Sequence, residues 1–368
     1  MRGLYIHVPF CVKKCRYCDF YSLPTQRDLI ETYVQAVVRE SSAYARLSFQ
    51  TLYLGGGTPS LLGAKHLGNL IGSIRKSLDL SELIEATIEV NPESATRELL
   101  EAGKDAGINR VSIGVQSLSD DELKSIGRVH SAAQAIAAVR LARNLSFKAV
   151  SADLIIGLPG QKRATLRRTL ELLTEIGLEH LSLYCLALEE GTPLAKSPPD
   201  DLPSDDLQAE LFEQARSFLT KYGFSHYEIS NFAVKGYECQ HNLNYWRGGE
   251  YLGLGPSAAS HLDGRRFRNR PDLNAYIERP TGLIEDIEER SAKDKASEEA
   301  MLRLRLLVEG VGSSELIARF GYENVEAIIG RLDSMAREGQ LVADGSRYRL
   351  VPSRILTSNP IFADVLCS

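Results

Sequence analysis

Short runs of β-branched, aliphatic and aromatic residues, each followed at once by a loop of unusual composition and then by an amphipathic stretch, constrain this chain more than any other feature of its 368 residues. Six such runs stand out, at 4–8, 51–54, 86–90, 110–115, 149–156 and 181–186. Helical periodicity occupies 27–46, 64–78, 95–106, 132–143, 162–176 and 204–222. Regular alternation predicts a parallel sheet with right-handed crossovers, and the mostly apolar character of the runs predicts that both sheet faces are covered.

The loops decide how six β/α units are arranged. Unusual residues follow nearly every strand: Pro9-Phe10-Cys11, Gly55-Gly56-Gly57-Thr58-Pro59, Asn91-Pro92-Glu93, Gln116-Ser117 and Gly157-Leu158-Pro159-Gly160. A doubly wound sheet gathers its ligand loops at one switch point, whereas a barrel spreads them over the C-terminal ends of many strands. The expected fold class is therefore α/β: an incomplete six-unit (β/α) TIM-like barrel, whose missing units leave a side opening for a large substrate. This core should occupy 1–235, followed by an irregular connecting segment at 236–283, rich in glycine and aromatic residues. Residues 284–368 should form a small C-terminal helical domain of winged-helix type. It would comprise an acidic helical connector around 285–299, helices near 297–308, 313–320 and 324–338, and a hairpin over 341–350 turning at Asp344-Gly345.

Charge and hydropathy limit the partners. Lys and Arg total 43 against 48 Asp and Glu, a net charge of -5, so no global field attracts phosphate backbones or anionic lipid. The final segment, 285–368, carries 11 basic and 15 acidic side chains, which favours packing against protein over nucleic-acid binding. No stretch approaches the ~20 apolar residues of a membrane span, and the first residues lack a secretory apolar core. Three of the six cysteines crowd between positions 11 and 18 with no export signal beside them, as expected of a protein of the reducing cytoplasm.

Those three, in Cys11-x-x-x-Cys15-x-x-Cys18, lie in the loop directly after the first strand. Three thiolates give a four-iron cluster three protein ligands and leave one iron open. Tetrahedral zinc would need a fourth nitrogen or sulfur, which only His7 is near enough in sequence to supply, and paired or buried cysteines are the remaining reading. Lys13, Lys14 and Arg16 would offset an anionic cluster.

This loop resembles that of the radical S-adenosylmethionine (SAM) proteins, and the similarity runs from Leu4-Tyr5-Ile6-His7-Val8-Pro9-Phe10-Cys11 to the final domain. It looks closest to the branch containing oxygen-independent coproporphyrinogen III oxidases and the haem chaperones HemW. The resemblance implies a [4Fe-4S] cluster on Cys11, Cys15 and Cys18, with SAM chelated at the open iron. In that family an electron from the cluster releases a 5'-deoxyadenosyl radical, so an electron donor is implied too. It also implies SAM contacts at Tyr5, Gly56, Gly57, Thr58, Glu89, Gln116, Arg128 and Asp153. Glycines there let backbone approach a ligand, carboxylates can bond a ribose or an ammonium group, and Arg128 can pair with a carboxylate.

Within the branch, the decarboxylating enzymes carry another cysteine two residues after the third cluster ligand and an extension ahead of the first strand. This sequence has Phe20 after Cys18-Asp19, and its strand starts almost at Met1. His241-Asn242-Leu243-Asn244-Tyr245-Trp246 resembles the HNxxYW motif associated with haem binding, which implies His241 as a haem ligand, with Cys239 and His261 as competing candidates. The leading expectation is a haem chaperone that carries haem as cargo to acceptor haemoproteins, such as membrane-bound respiratory enzymes, with no need for catalytic turnover. The alternatives are SAM-dependent oxidative decarboxylation of coproporphyrinogen III and a non-catalytic, zinc-stabilised scaffold. Arg265, Arg266, Arg268 and Arg270 form a basic run suited to tetrapyrrole carboxylates, and homodimerisation is left open.

Overall fold

A computed structural model describes residues 1–367. Strands β1 (Arg2–Val8), β2 (Thr51–Gly56), β3 (Glu85–Val90), β4 (Arg110–Gln116), β5 (Ala149–Ile156) and β6 (His180–Cys185) lie side by side in chain order. Every neighbouring pair among them is parallel. These are the six expected runs, with ends moved by no more than two residues. Helices α1 (Arg27–Ser42), α2 (Gly63–Ser77), α3 (Arg97–Asp105), α4 (Ala132–Asn144), α5 (Arg163–Glu175) and α6 (Asp205–Lys221) alternate with them.

Local chemistry accounts for these elements. Helix α2 buries Leu67, Leu70, Ile71 and Ile74, one stripe at helical spacing. Ser131 and Gln134 close a capping box at the start of α4. The strands bury residues on both faces, Leu4, Ile6, Leu54, Val111 and Ile113 on one and His7, Thr51, Thr87 and Ser112 on the other. Cutting one such leucine back to alanine would cost about 2–5 kcal/mol.

Neither edge of the parallel set is bare. Antiparallel β7 (Ser225–Glu228) and β8 (Asn231–Ala233) extend it beyond β6. On the other side β9 (Glu250–Leu254) runs parallel against β1, and β10 (Ala259–Leu262), β11 (Arg265–Asn269) and β12 (Ile284–Glu289) follow antiparallel. The result is a twelve-stranded mixed sheet.

Two expectations are corrected here. The segment 236–283 is ordered: it holds a helix, α7 (Gln240–Trp246), and the strands β9 to β11. Its strands are short and broken by glycine, so no period emerged from the sequence. The acidic stretch begins as β12, and α8 (Ala292–Leu304) starts only afterwards. Pairing with β11 explains the change, because Arg265 faces Glu289, Arg266 faces Glu288 and Arg268 faces Glu285. Arg266 also reaches Glu298 at 2.9 Å. Cross-strand pairing thus sets the arginine run against an acidic strand, and Arg270 also reaches Glu285 at 3.7 Å.

Beyond α8 come β13 (Val311–Gly312), α9 (Ser313–Phe320), α10 (Tyr322–Arg337), β14 (Leu341–Asp344), β15 (Arg347–Leu350) and α11 (Asn359–Leu366). The three strands form their own sheet. Asp344 pairs with Arg347, so the turn residues are Gly345 and Ser346, one position later than expected, and Gly345 takes the left-handed φ of 59° that the turn demands. Among the described residues no helix is long and apolar enough to cross a membrane.

Candidate functional site

The C-terminal ends of the parallel strands surround a cavity of about 400 Å³, within the size range of small-molecule sites. Its wall carries Cys11, Cys15 and Cys18 together with Gly56, Gly57, Thr58, Glu89, Gln116, Arg128 and Asp153. All three expected cluster ligands and all but one of the expected SAM-contact positions therefore reach one space. The exception, Tyr5, sits behind the wall with its hydroxyl 3.0 Å from His7 Nδ1.

Hydrogen bonds tie the cysteine loop to the strand ends. A two-residue parallel pairing of Phe10–Cys11 with Leu23–Pro24 closes the base of the loop. Thr58 Oγ1 lies 3.7 Å from Cys11 Sγ, and Arg128 Nη1 lies 3.6 Å from Cys15 Sγ. Asn91 joins the two by donating to Thr58 Oγ1 at 2.9 Å and accepting from Arg128 Nη2 at 2.7 Å. Sequence reasoning flagged the Asn91-Pro92-Glu93 loop but gave Asn91 no role, since only folding brings Thr58 and Arg128 to its two ends. Among the described residues Arg128 Nε is buried with no hydrogen-bond partner, so the guanidinium that lines the cavity has donor capacity its protein partners do not use up.

The glycine run answers a steric demand. A Cβ on Gly56 would fall 2.6 Å from the His7 ring, and one on Gly57 would fall 2.6 Å from the Phe10 carbonyl oxygen. That ring is itself fully engaged: Nε2 donates to the Tyr21 carbonyl at 2.8 Å, leaving Nδ1 to accept from Tyr5. His7 therefore offers no fourth ligand, and the zinc alternative loses the one it needed. Burial pushes the Cys18 thiol up to about 11, and neighbouring Cys15 and Cys11 add to the effect, so a metal must displace its proton. Among the described residues no three His, Cys, Asp or Glu side chains stand at metal-chelating spacing, so these half-buried thiols must close around an incoming group. Three soft donors with no fourth fit a cluster that keeps one iron open.

The opposite wall is acidic. Glu89 accepts from the Tyr53 hydroxyl at 2.7 Å, and burial pushes its carboxyl up to about 7, with the charge of Asp153 adding to the shift. Asp153 accepts from Ser112 Oγ at 3.1 Å and is likewise raised by burial. Two desolvated carboxyls beside an open space favour a ligand that brings positive charge or hydroxyl donors. Gln116 ends β4 with a φ of 63°, left-handed for a residue that is not glycine, and it lines the cavity from that conformation.

His241 lies elsewhere. It is buried in α7, with Nδ1 2.8 Å from Thr51 Oγ1, Nε2 2.8 Å from the Tyr245 hydroxyl, and its ring stacked on Tyr53. Thr51 opens β2 and Gly56 ends it, so His241 lies behind the cavity wall, separated from it by Tyr53, on whose ring it stacks and whose hydroxyl bonds Glu89. Glu85 fastens the start of α7 by accepting from the His241 and Gln240 backbone N–H groups at 3.0 and 3.1 Å. Burial lowers the imidazole to about 3, so it is neutral. Cys239 is buried beside it, donating to Glu85, and His261 Nδ1 is 3.3 Å from the Gly249 carbonyl.

Comparison with known proteins agrees with this geometry. The sequence model of the radical SAM superfamily matches residues 5–173. The chain is 38% identical to "Heme chaperone HemW" of Escherichia coli (strain K12), over 92% of this chain and 91% of that one. It is 32% identical to the protein of the same name from Bacillus subtilis (strain 168), over 100% of this chain and 99% of the other. Among solved structures, coproporphyrinogen III oxidase (HemN) from Escherichia coli, described as a radical SAM enzyme, superposes with a TM-score of 0.84 at 22% identity, covering 100% of this chain and 89% of the other, a likeness of fold.

Proposed function

Because this chain belongs to the radical SAM superfamily and, within it, to the heme chaperone HemW family, we propose that it takes up haem and passes it to acceptor haemoproteins. Cys11, Cys15 and Cys18 would hold a [4Fe-4S] cluster, which when bound would supply an electron and an open iron for the amino and carboxylate groups of SAM. The chain's own residues do the positioning. Thr58 and Arg128, joined through Asn91, orient the sulfurs of Cys11 and Cys15. The Arg128 guanidinium on the cavity wall offsets the charge of the single SAM carboxylate, while Glu89 and Asp153 take its hydroxyl donors and positive charge. Gly56 and Gly57 let β2 turn tightly against His7 and Phe10 where it borders the cavity, and Gln116 completes the wall. Tyr5 acts one layer back by holding His7.

The observation that carries this reading is the meeting of a three-thiol loop, an orphaned guanidinium donor and two buried carboxyls on one cavity. Phe20 stands where the decarboxylating enzymes have a further thiol, which favours the chaperone over the decarboxylase. In the same proposal 1–235 form an incomplete six-unit barrel, 236–283 connect it to a winged-helix-like domain at 284–368, and the protein works in the cytoplasm. Its acceptors include membrane-bound respiratory enzymes, and a separate reductant feeds the cluster.

Anaerobic reconstitution tests this. Wild type should take up iron and sulfide, bind SAM and shift the Soret band of added haem, without converting coproporphyrinogen III. Normal iron and sulfide uptake after all three cysteines are changed to serine would sink the cluster assignment, and conversion of coproporphyrinogen III would replace the chaperone reading with the enzymatic one.

A further inference from the structure

Haem is a flat apolar macrocycle with two carboxylates on one edge, and the place that receives it must offer exposed apolar surface with positive charge beside it. The buried motif helix α7 offers neither, for His241 is 1% exposed and both of its ring nitrogens are bonded. The arginine run on β11 is matched by the acidic residues of β12. The mouth of the cavity offers both. Phe20 is 62% exposed and Tyr184 44%, and both line the cavity, Phe20 from the cysteine loop and Tyr184 from near the end of β6 with its hydroxyl turned inward beside Ser182 and Asp153. Val12 at 53% and Leu188 at 47% continue the same two rims outward. Such large side chains left in water around one opening mark a surface with an apolar partner. Lys13 and Lys14 line the same mouth, and among the described residues neither forms an ion pair, Lys14 donating only to the Phe20 carbonyl at 2.9 Å. Asp19 and Glu189 are the acidic residues of the rim, and they stand apart from any ion pair with these lysines among the described residues.

We infer that haem docks over the mouth of the cavity, its macrocycle between Phe20 and Tyr184 and its carboxylates toward Lys13 and Lys14, and not at His241. This rests on the haem-handling function proposed above and adds a location to it. One consequence follows from shape: a macrocycle over the mouth covers whatever lies within, so haem bound there hinders the escape of SAM. Haem held at His241, behind Tyr53 and the cavity wall, would leave the mouth uncapped and open to SAM exchange.

The test uses full-length protein reconstituted with its cluster and loaded with SAM, and titrates haem by its Soret band. Phe20→Ser and the double variant Lys13→Glu, Lys14→Glu should each bind haem roughly tenfold more weakly. Lys13 and Lys14 also lie between cluster cysteines, so affinity is compared at normal iron and sulfide content, and Phe20→Ser, which leaves those charges in place, decides the location if the double variant loses its cluster. In wild type, saturating haem should slow release of labelled SAM several-fold. Haem binding by wild type with unweakened affinity in both variants, or with SAM release unchanged, overturns the location and leaves the chaperone reading standing. Absence of haem binding by reconstituted wild type overturns both.

Discussion

Asn91 shows what a single side chain contributes that no motif announces. Its amide holds Thr58 on one side and Arg128 on the other, and through them it reaches two cluster sulfurs. A hydrogen bond to a charged group is worth about 1.5–3 kcal/mol, so Asn91→Ala should weaken SAM binding at least about tenfold in equilibrium dialysis of the reconstituted protein. Unchanged affinity would mean that Arg128 does not depend on it. Glu40 makes a second residue-scale prediction. Its buried carboxylate accepts from Tyr276, Gly255 and Asn269, and burial pushes it up to about 7 from 4.5. A raised folded-state value means that the stability linked to this proton is full below pH 4.5 and is lost as pH rises through 7. Relative to wild type, Glu40→Gln should therefore gain stability between pH 5 and 8, read from urea midpoints. A pH-independent difference would show that Glu40 stays ionised throughout.

At the scale of elements, the seating of α7 is tied through β2 to the cavity wall. His241 bonds Thr51 and stacks on Tyr53, whose hydroxyl bonds Glu89 in the cavity wall. Thr51→Val keeps the side chain's shape and strips His241 of one buried partner, which should cost about 1–3 kcal/mol in urea unfolding. Haem affinity should stay as in wild type, and a loss of haem binding with stability intact would assign His241 to the ligand after all. The parallel strands and the six helices beside them were legible in the sequence because a run of apolar residues and a helical stripe are local patterns. Strands β9 to β12 were not, since their pairing is decided by a neighbour far away in sequence: β9 sits in register with β1, Tyr251 opposite Gly3.

At the scale of the whole molecule, the C-terminal region is clasped to α7 by one cation. The Arg305 guanidinium lies 5.1 Å from the Trp246 ring centroid and 4.8 Å from that of Phe362, which belongs to α11. Trp246 is the only tryptophan, so its fluorescence reports this seam without ambiguity. Arg305→Ala should move its emission to longer wavelength as water reaches the indole, and an unmoved spectrum would mean that the seam holds by other contacts.

Local pattern and spacing determined the six β/α units, the loops at their C-terminal ends and the three-cysteine loop, because each depends on residues close together along the chain, while the resemblance to the radical SAM family supplied the cofactor-contact positions, all but Tyr5 of which border the cavity. Tertiary structure decided the rest. It put β9 beside β1, set the arginine run against an acidic strand, enclosed His241 and left Phe20 and Tyr184 in water. Burial and cross-strand pairing depend on what arrives from distant parts of the chain, and a residue's own neighbours in sequence carry no record of that.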